Sequence, residues 1–179
     1  MNNIKYNILR FLNRLPLLGD RDLVIRQMRK EGVKIGFETH IFSNIASSEP
    51  YLISIGDNCT ISTDVSFLTH DASVGLFWGR DKVSDICGEI SIGNNCFIGN
   101  RSILLYGVSI PDNTIVAAGS VVTKSIGESG CIVGGNPAKV IGRVDNFINK
   151  SKEYGLSLHG LSRMERRKKI LISNNLIRR

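Results

Sequence analysis

One stretch constrains this chain more than any other: between Ile92 and Thr123 an aliphatic residue returns every six positions. The anchors are Ile92, Ile98, Leu104, Ile110, Val116 and Val122. A small residue usually follows each (Gly93, Gly99, Pro111, Ala117, Thr123), and a small or β-branched one sits four places on (Cys96, Ser102, Val108, Thr114, Ser120, Ile126). Such a run arises by chance on the order of once in a thousand, so it is a repeat. A helix returns the same face every 3.6 residues and a strand every two, so neither explains a period of six. A short strand followed by a corner does, with Asn, Asp and Gly near the corners tolerating positive φ. Three sides close a coil of roughly eighteen residues, stacked at ~4.8 Å. The expectation is a mainly β, three-sided parallel solenoid, whose hand periodicity leaves open.

The 179 residues suit one domain, and 42% hydrophobic with 22% charged residues is ordinary for a soluble globular protein. We divide the domain into an N-terminal helical cap (1–32), the solenoid (33–142) and a C-terminal helical extension (143–179). In the first segment Ile4, Ile8, Phe11, Leu12 and Leu15 share one helical stripe, while Asp20 caps a second helix that runs to about Lys30 and closes at Gly32. The stripe reads as a lid over the open end of the coil, with a peripheral membrane anchor as the sharper alternative. No apolar run reaches transmembrane length and no signal peptide is expected, which predicts a cytoplasmic protein, held at the inner face of the membrane if the anchor reading is right. Cys59 and Cys96 fall at inward positions and read as reduced core residues. Residues 144–154 and 161–177 read as helices, the second strongly basic.

Two stretches interrupt the beat. Residues 42–54 form the first, and Asp71 to Glu89 the second, too long for a corner and carrying Phe77 and Trp78. A long excursion from a regular coil is usually functional or disordered, and the aromatics favour an ordered, functional loop.

With the hexads in view, three further stretches complete a pattern: Phe67-Leu68-Thr69-His70-Asp71 before the loop, Ala117 to Lys124, and Gly134-Gly135-Asn136-Pro137-Ala138-Lys139-Val140-Ile141. Together they resemble the hexapeptide-repeat acyltransferases. That resemblance implies a left-handed parallel β-helix, a homotrimer with active sites in the clefts between subunits, and acetyl-CoA as donor. The Thr-His-Asp with its tryptophan-bearing loop is most similar to O-acetyltransferases of cell-surface sugars, which implies a carbohydrate acceptor.

Moving an acetyl group from a thioester to a hydroxyl needs a base, and histidine suits that near neutrality. Of His40, His70 and His159, His70 lies where the coil breaks, and it is the candidate base. Its orienting carboxylate stays open among Asp71, Asp64, Asp85 and Glu89. The Gly99-Asn100 corner matches the family position for an oxyanion donor, although an ordinary corner reads the same way. A pantetheine groove would use Ala117, Ala118, Gly119, Ser120 and Thr123, with Gly135 and Pro137 in the closing motif. Lys124, Lys139 and Arg143 are candidates for the coenzyme's phosphates. Asp71 and Trp78 are candidates for the acceptor, Trp78 by stacking on a sugar or merely by packing its loop.

Competing functions remain. A serine or antibiotic acetyltransferase shares the fold, and a noncatalytic β-solenoid is the alternative from another class. A zinc hydratase would need three converging histidines, and His40 and His159 lie in the wrong segments, so no metal is expected. The formal net charge of +7 admits anionic partners, but the basic tail at 163–169 lacks interleaved aromatics, so nucleic acid is not expected.

Overall fold

The computed structural model describes residues 21–45, 47–79, 81–173 and 177. The amphipathic stripe at residues 3–15 and the cap at Asp20 lie outside them. The chain is mainly β, with short strands in three parallel sheets visited in rotation. The first sheet holds β1 (Lys34–Ile35), β3 (Ile53–Ile55), β8 (Ile90–Ile92) and β11 (Ser109–Ile110) in that spatial order. The second holds β2 (His40–Ile41), β4 (Thr60–Ile61), β9 (Phe97–Ile98), β12 (Ile115–Val116) and β14 (Cys131–Gly135), to which β15 (Ala138–Arg143) adds antiparallel. The third holds β5 (Ser66–Leu68), β10 (Ile103–Leu105) and β13 (Val121–Val122).

The register turns the six-residue anchors into ladders. Ile55 pairs with Ile92 and Ile92 with Ile110. Ile61, Ile98, Val116 and Val133 line up in the second sheet, and Phe67, Leu104 and Val122 in the third. All of these side chains are buried. Each contributes about 1.5–3 kcal/mol by leaving water, so the repeat is also the core. Cys59 and Cys96 lie among them as reduced, buried residues. Exposed Cys87 does not share that position.

Corners close with left-handed residues in columns. Asn58, Asn95 and Asn113 (φ 51°, 54° and 58°) turn the chain from the first sheet to the second, and Asp64, Arg101 and Gly119 (φ 59°, 58° and 71°) from the second to the third. Asparagine tolerates this region, and the Asn58 amide also donates to Asn95 Oδ1 at 2.8 Å, one layer on. At Gly99 a Cβ would come within 2.5 Å of Ala118 N, so the close stacking of layers demands glycine there.

Helix α1 (Arg21–Lys30) ends at Gly32 (φ 105°), as the C-terminal glycine anticipates. Met28 drives into the end of the core, and the Arg29 guanidinium donates to the carbonyls of Ile35 and Gly36. The stack begins under this helix. At the other end β14 and β15 form a hairpin over the second sheet.

The described residues of the two interruptions form regular short elements. Across the second, equivalent residues lie 37 apart (Asp57 and Asn94), whereas across an uninterrupted layer they lie 18 apart (Ser91 and Ser109). The difference is an antiparallel ribbon of β6 (His70–Asp71) and β7 (Ile86–Cys87), with one helical turn, α2 (Val74–Trp78), between them. Helices α3 (Val144–Ser151) and α4 (Arg163–Leu171) follow β15, both shorter than the 144–154 and 161–177 of the sequence reading. Ser162 and Glu165 cap α4 reciprocally, which sets its start two residues later than expected.

Candidate active site

His70 stands at the edge where the third sheet hands the chain back to the first. Period-two alternation puts Thr69 inward, 1% exposed, and turns His70 outward. The imidazole is not buried in the core: its side chain is 36% exposed. Its Nδ1 lies 2.8 Å from Glu49 Oε2. Glu49 comes from the first interruption, just before the 3-10 turn Pro50–Leu52 that leads into β3.

A relay of hydroxyls fixes that carboxylate. Thr69 Oγ1 donates to Glu49 Oε2 at 2.8 Å, and Ser47 Oγ sits 2.6 Å from Thr69 Oγ1 while accepting the Glu49 N–H at 3.0 Å. With its proton committed to Glu49, Thr69 accepts from Ser47, so every hydroxyl proton has one direction. The Thr69 hydrogen bond is the main reason the Glu49 carboxyl is held below its usual range, with partial burial opposing it and His70 adding to it. An ionised Glu49 can only accept, so Nδ1 carries a proton, and in the neutral ring the lone pair is on Nε2. This is the tautomer a general base requires.

Asp71, next in the chain, points elsewhere. Its carboxylate accepts the Ser73 N–H at 2.8 Å and the Tyr106 hydroxyl at 3.3 Å. The Ser73 hydrogen bonds lower its pKa first, and Tyr106 adds to them. The Tyr106 phenol is pushed up, by desolvation and then by Asp71. These bonds pin the root of the β6–β7 ribbon to the next layer. On the ribbon Leu76, Phe77 and Trp78 are all exposed.

A second feature lies on another edge, where the second sheet meets the third. There a groove of about 480 Å³ is lined by Thr63, Asp64, Asn100, Arg101, Ala118 and Gly119. Small side chains bare the backbone. The Gly99 N–H is spent on Val116 O, and the Arg101 N–H on Thr63 O. In the next layer Ala117 N–H goes to Val133 O and Gly119 N–H to Asn100 O. That leaves the N–H groups of Asn100 and Ala118, one layer apart, without a protein acceptor among the described residues. Exposed donors at a layer's spacing suit a linear ligand carrying amides.

Comparison with known proteins identifies the architecture. The family model "Hexapeptide repeat of succinyl-transferase" matches residues 89–124. Protein CapG of Staphylococcus aureus is 43% identical over 136 residues, covering 74% of this chain and 78% of that protein. The chain belongs to the hexapeptide-repeat acetyltransferase family. The galactoside O-acetyltransferase of Escherichia coli (strain K12) is 32% identical over 116 residues, covering 64% of this chain and 55% of its own length. A hexapeptide-repeat-containing acetyltransferase from Vibrio cholerae, solved in complex with acetyl coenzyme A, aligns with a TM-score of 0.57 and 30% identity over 63% of this chain and 61% of that one.

The acetyltransferase divides its candidate residues between edges. His70, Asp71, Trp78, exposed Thr123 and exposed Lys124 belong to the edge between third and first sheets. Asn100, Ala118 and Gly119 line the groove, and half-buried Ala117 opens it. Ser120 is fully buried and donates to Ala117 O at 2.6 Å, holding the corner rather than facing the groove. Gly134 packs over Ala117, so Gly135 and Pro137 extend the same edge by one layer. Lys139 is exposed on β15; Arg143, at its far end, pairs with Glu128 at 2.9 Å.

The acid beside His70 is a correction. None of Asp71, Asp64, Asp85 or Glu89 reaches the ring: Asp64 faces Arg101 at 3.8 Å, and Asp85 and Glu89 are exposed. Glu49 was hidden because its partner lies a full layer away in sequence. The available signal was an acid immediately before Pro50, in the layer below His70, at a break in the beat. Among the described residues no group of three metal-ligating side chains converges.

Proposed function

We propose that this acetyltransferase moves an acetyl group from acetyl-CoA to a hydroxyl of a cell-surface sugar, either a capsular polysaccharide or its precursor. The observation that carries the reading is the His70–Glu49 pair, with Nδ1 held as donor and Nε2 left as a partly exposed base. Nε2 takes the acceptor's hydroxyl proton as the oxygen attacks the thioester carbonyl, and returns it to the departing thiolate. The positive charge that develops on the imidazole as Nε2 gains the proton is balanced at Nδ1–H by the Glu49 carboxylate, whose own place is secured by Thr69 and Ser47. The Asn100 N–H is the candidate donor to the carbonyl oxygen, and the row of Asn100 and Ala118 donors suits the amides of a pantetheine arm. Lys124 and Lys139 are exposed cations for the phosphates, and Asp71 and Trp78 flank the place of the acceptor.

The same reading makes the protein a left-handed parallel β-helix working as a homotrimer. Asn100 and His70 stand on different edges of one chain, one full strand of the third sheet apart. Seven residues from Thr63 to His70 span roughly 20 Å when extended, too far for one reacting centre. A neighbouring subunit that brings its groove against His70 closes the gap, and a cyclic assembly repeats that contact. In this reading the enzyme works in the cytoplasm.

The test is turnover of acetyl-CoA, followed as free thiol, against a panel of capsule and lipopolysaccharide sugars. Acceptor-dependent release with at least one sugar is expected. Thiol release that no sugar stimulates, but serine or an aminoglycoside does, would overturn the proposed acceptor.

A further inference from the structure

Helix α4 has no place in the chemistry above, yet it is the most strongly charged element described. Its sequence is RMERRKKIL, with Arg163, Arg166, Arg167, Lys168 and Lys169 against Glu165. That single acid is engaged at the cap: Glu165 Oε2 accepts the Ser162 N–H at 2.8 Å and its N–H donates to Ser162 Oγ. It is therefore turned to the helix start and away from the cations further along.

Spacing sorts the remaining residues. Met164, Arg167, Lys168 and Leu171 fall at i, i+3, i+4 and i+7, one stripe down the helix. Both apolar members stand in water, Met164 at 82% and Leu171 at 70% exposed, and Ile172 just beyond at 71%. The other side faces the protein: Lys169 Nζ donates to Ser157 O at 2.8 Å, and Ile170 is half-buried. The helix is thus tethered along one side and presents apolar anchors flanked by cations along the other. Among the described residues, no acid pairs with Arg167 or Lys168.

We infer that this stripe docks the enzyme on an anionic lipid surface. Charge complementarity selects an anionic partner, and the apolar anchors select a lipid. A nucleic-acid backbone would satisfy the cations but leave Met164, Leu171 and Ile172 in water. A lipid interface takes both at once, with long basic side chains reaching the headgroups while the apolar ones enter the acyl boundary. The inference is independent of the acceptor and of the assignment of His70.

Flotation of the full chain with phosphatidylcholine vesicles, with and without about one-third phosphatidylglycerol, tests it. Binding to the anionic vesicles should exceed that to neutral ones at least tenfold and weaken as salt rises. Arg167→Gln and Lys168→Gln should each lower the partition coefficient about fivefold. The pair Met164→Ser and Leu171→Ser should lower it further, with melting temperature and acetyl transfer in solution unchanged. No preference for anionic vesicles, or binding indifferent to both sets of substitutions, would overturn the inference. So would binding to polyuridylate or polyglutamate as tight as to the vesicles.

Discussion

Two edges of one stack of strands are built in opposite ways. The edge between the second and third sheets keeps the repeat, and its groove is made of repetition: small side chains, left-handed corners and backbone donors recurring layer by layer. The edge between the third and first sheets breaks it twice, and each break delivers one half of the His70–Glu49 pair. Regularity exposes backbone, which suits an extended ligand. Irregularity is what brings a carboxylate and an imidazole face to face outside a core that, among the described residues, admits neither.

Removing the product of the broken edge should have the largest effect. His70→Ala should lower turnover by about 10²–10⁴-fold, the usual worth of a general base, with the melting temperature unchanged because the ring is partly exposed. Retained activity would deny that edge its chemistry.

Sharpening the contrast needs both edges at once. Ala118→Trp should fill the groove and inactivate the enzyme alone. Refolding a mixture of Ala118→Trp and His70→Ala chains should restore activity at about a quarter of the sites, those where an intact groove meets an intact histidine from its neighbour. No recovery would mean that each chain completes its own site.

Glu49→Gln should then lower kcat about tenfold while leaving the KM for acetyl-CoA unchanged, since Glu49 positions the ring and lies away from the groove. A change confined to KM would place Glu49 in binding.

The smallest effect concerns stability. The Glu49 carboxyl is held below its usual range, mainly by Thr69, so its contribution to stability is complete above the ordinary carboxylate pKa of about 4.3 and is lost as pH falls through the lower folded value. Thr69→Val should cost about 1 kcal/mol at neutral pH and flatten the loss of stability on acidification. An unchanged acid slope would show that the relay does not hold the charge.

How much of this was legible in the residues depends on separation along the chain. The six-residue beat placed Ile92, Ile98, Leu104, Ile110, Val116 and Val122 inward, and each is buried. The excursion after His70 and the outward position of His70 could be read from the break itself. Glu49 could not, because nothing local ties residue 49 to residue 70; only the parallel layering brings them together. The exposure of α4 was equally hidden, since a helix's own pattern does not say which neighbours it will find.

Local periodicity therefore determined the mainly β character of the chain and the inward set of anchors. A short strand and a corner repeated every six residues can bury their anchors only by stacking, and every hexad restates that demand. Only the tertiary structure decided which acid meets the imidazole, which N–H groups remain unspent and which edge holds each group of candidate residues. Those are relations between layers, set by register and by the length of each interruption, and no window of sequence contains both partners.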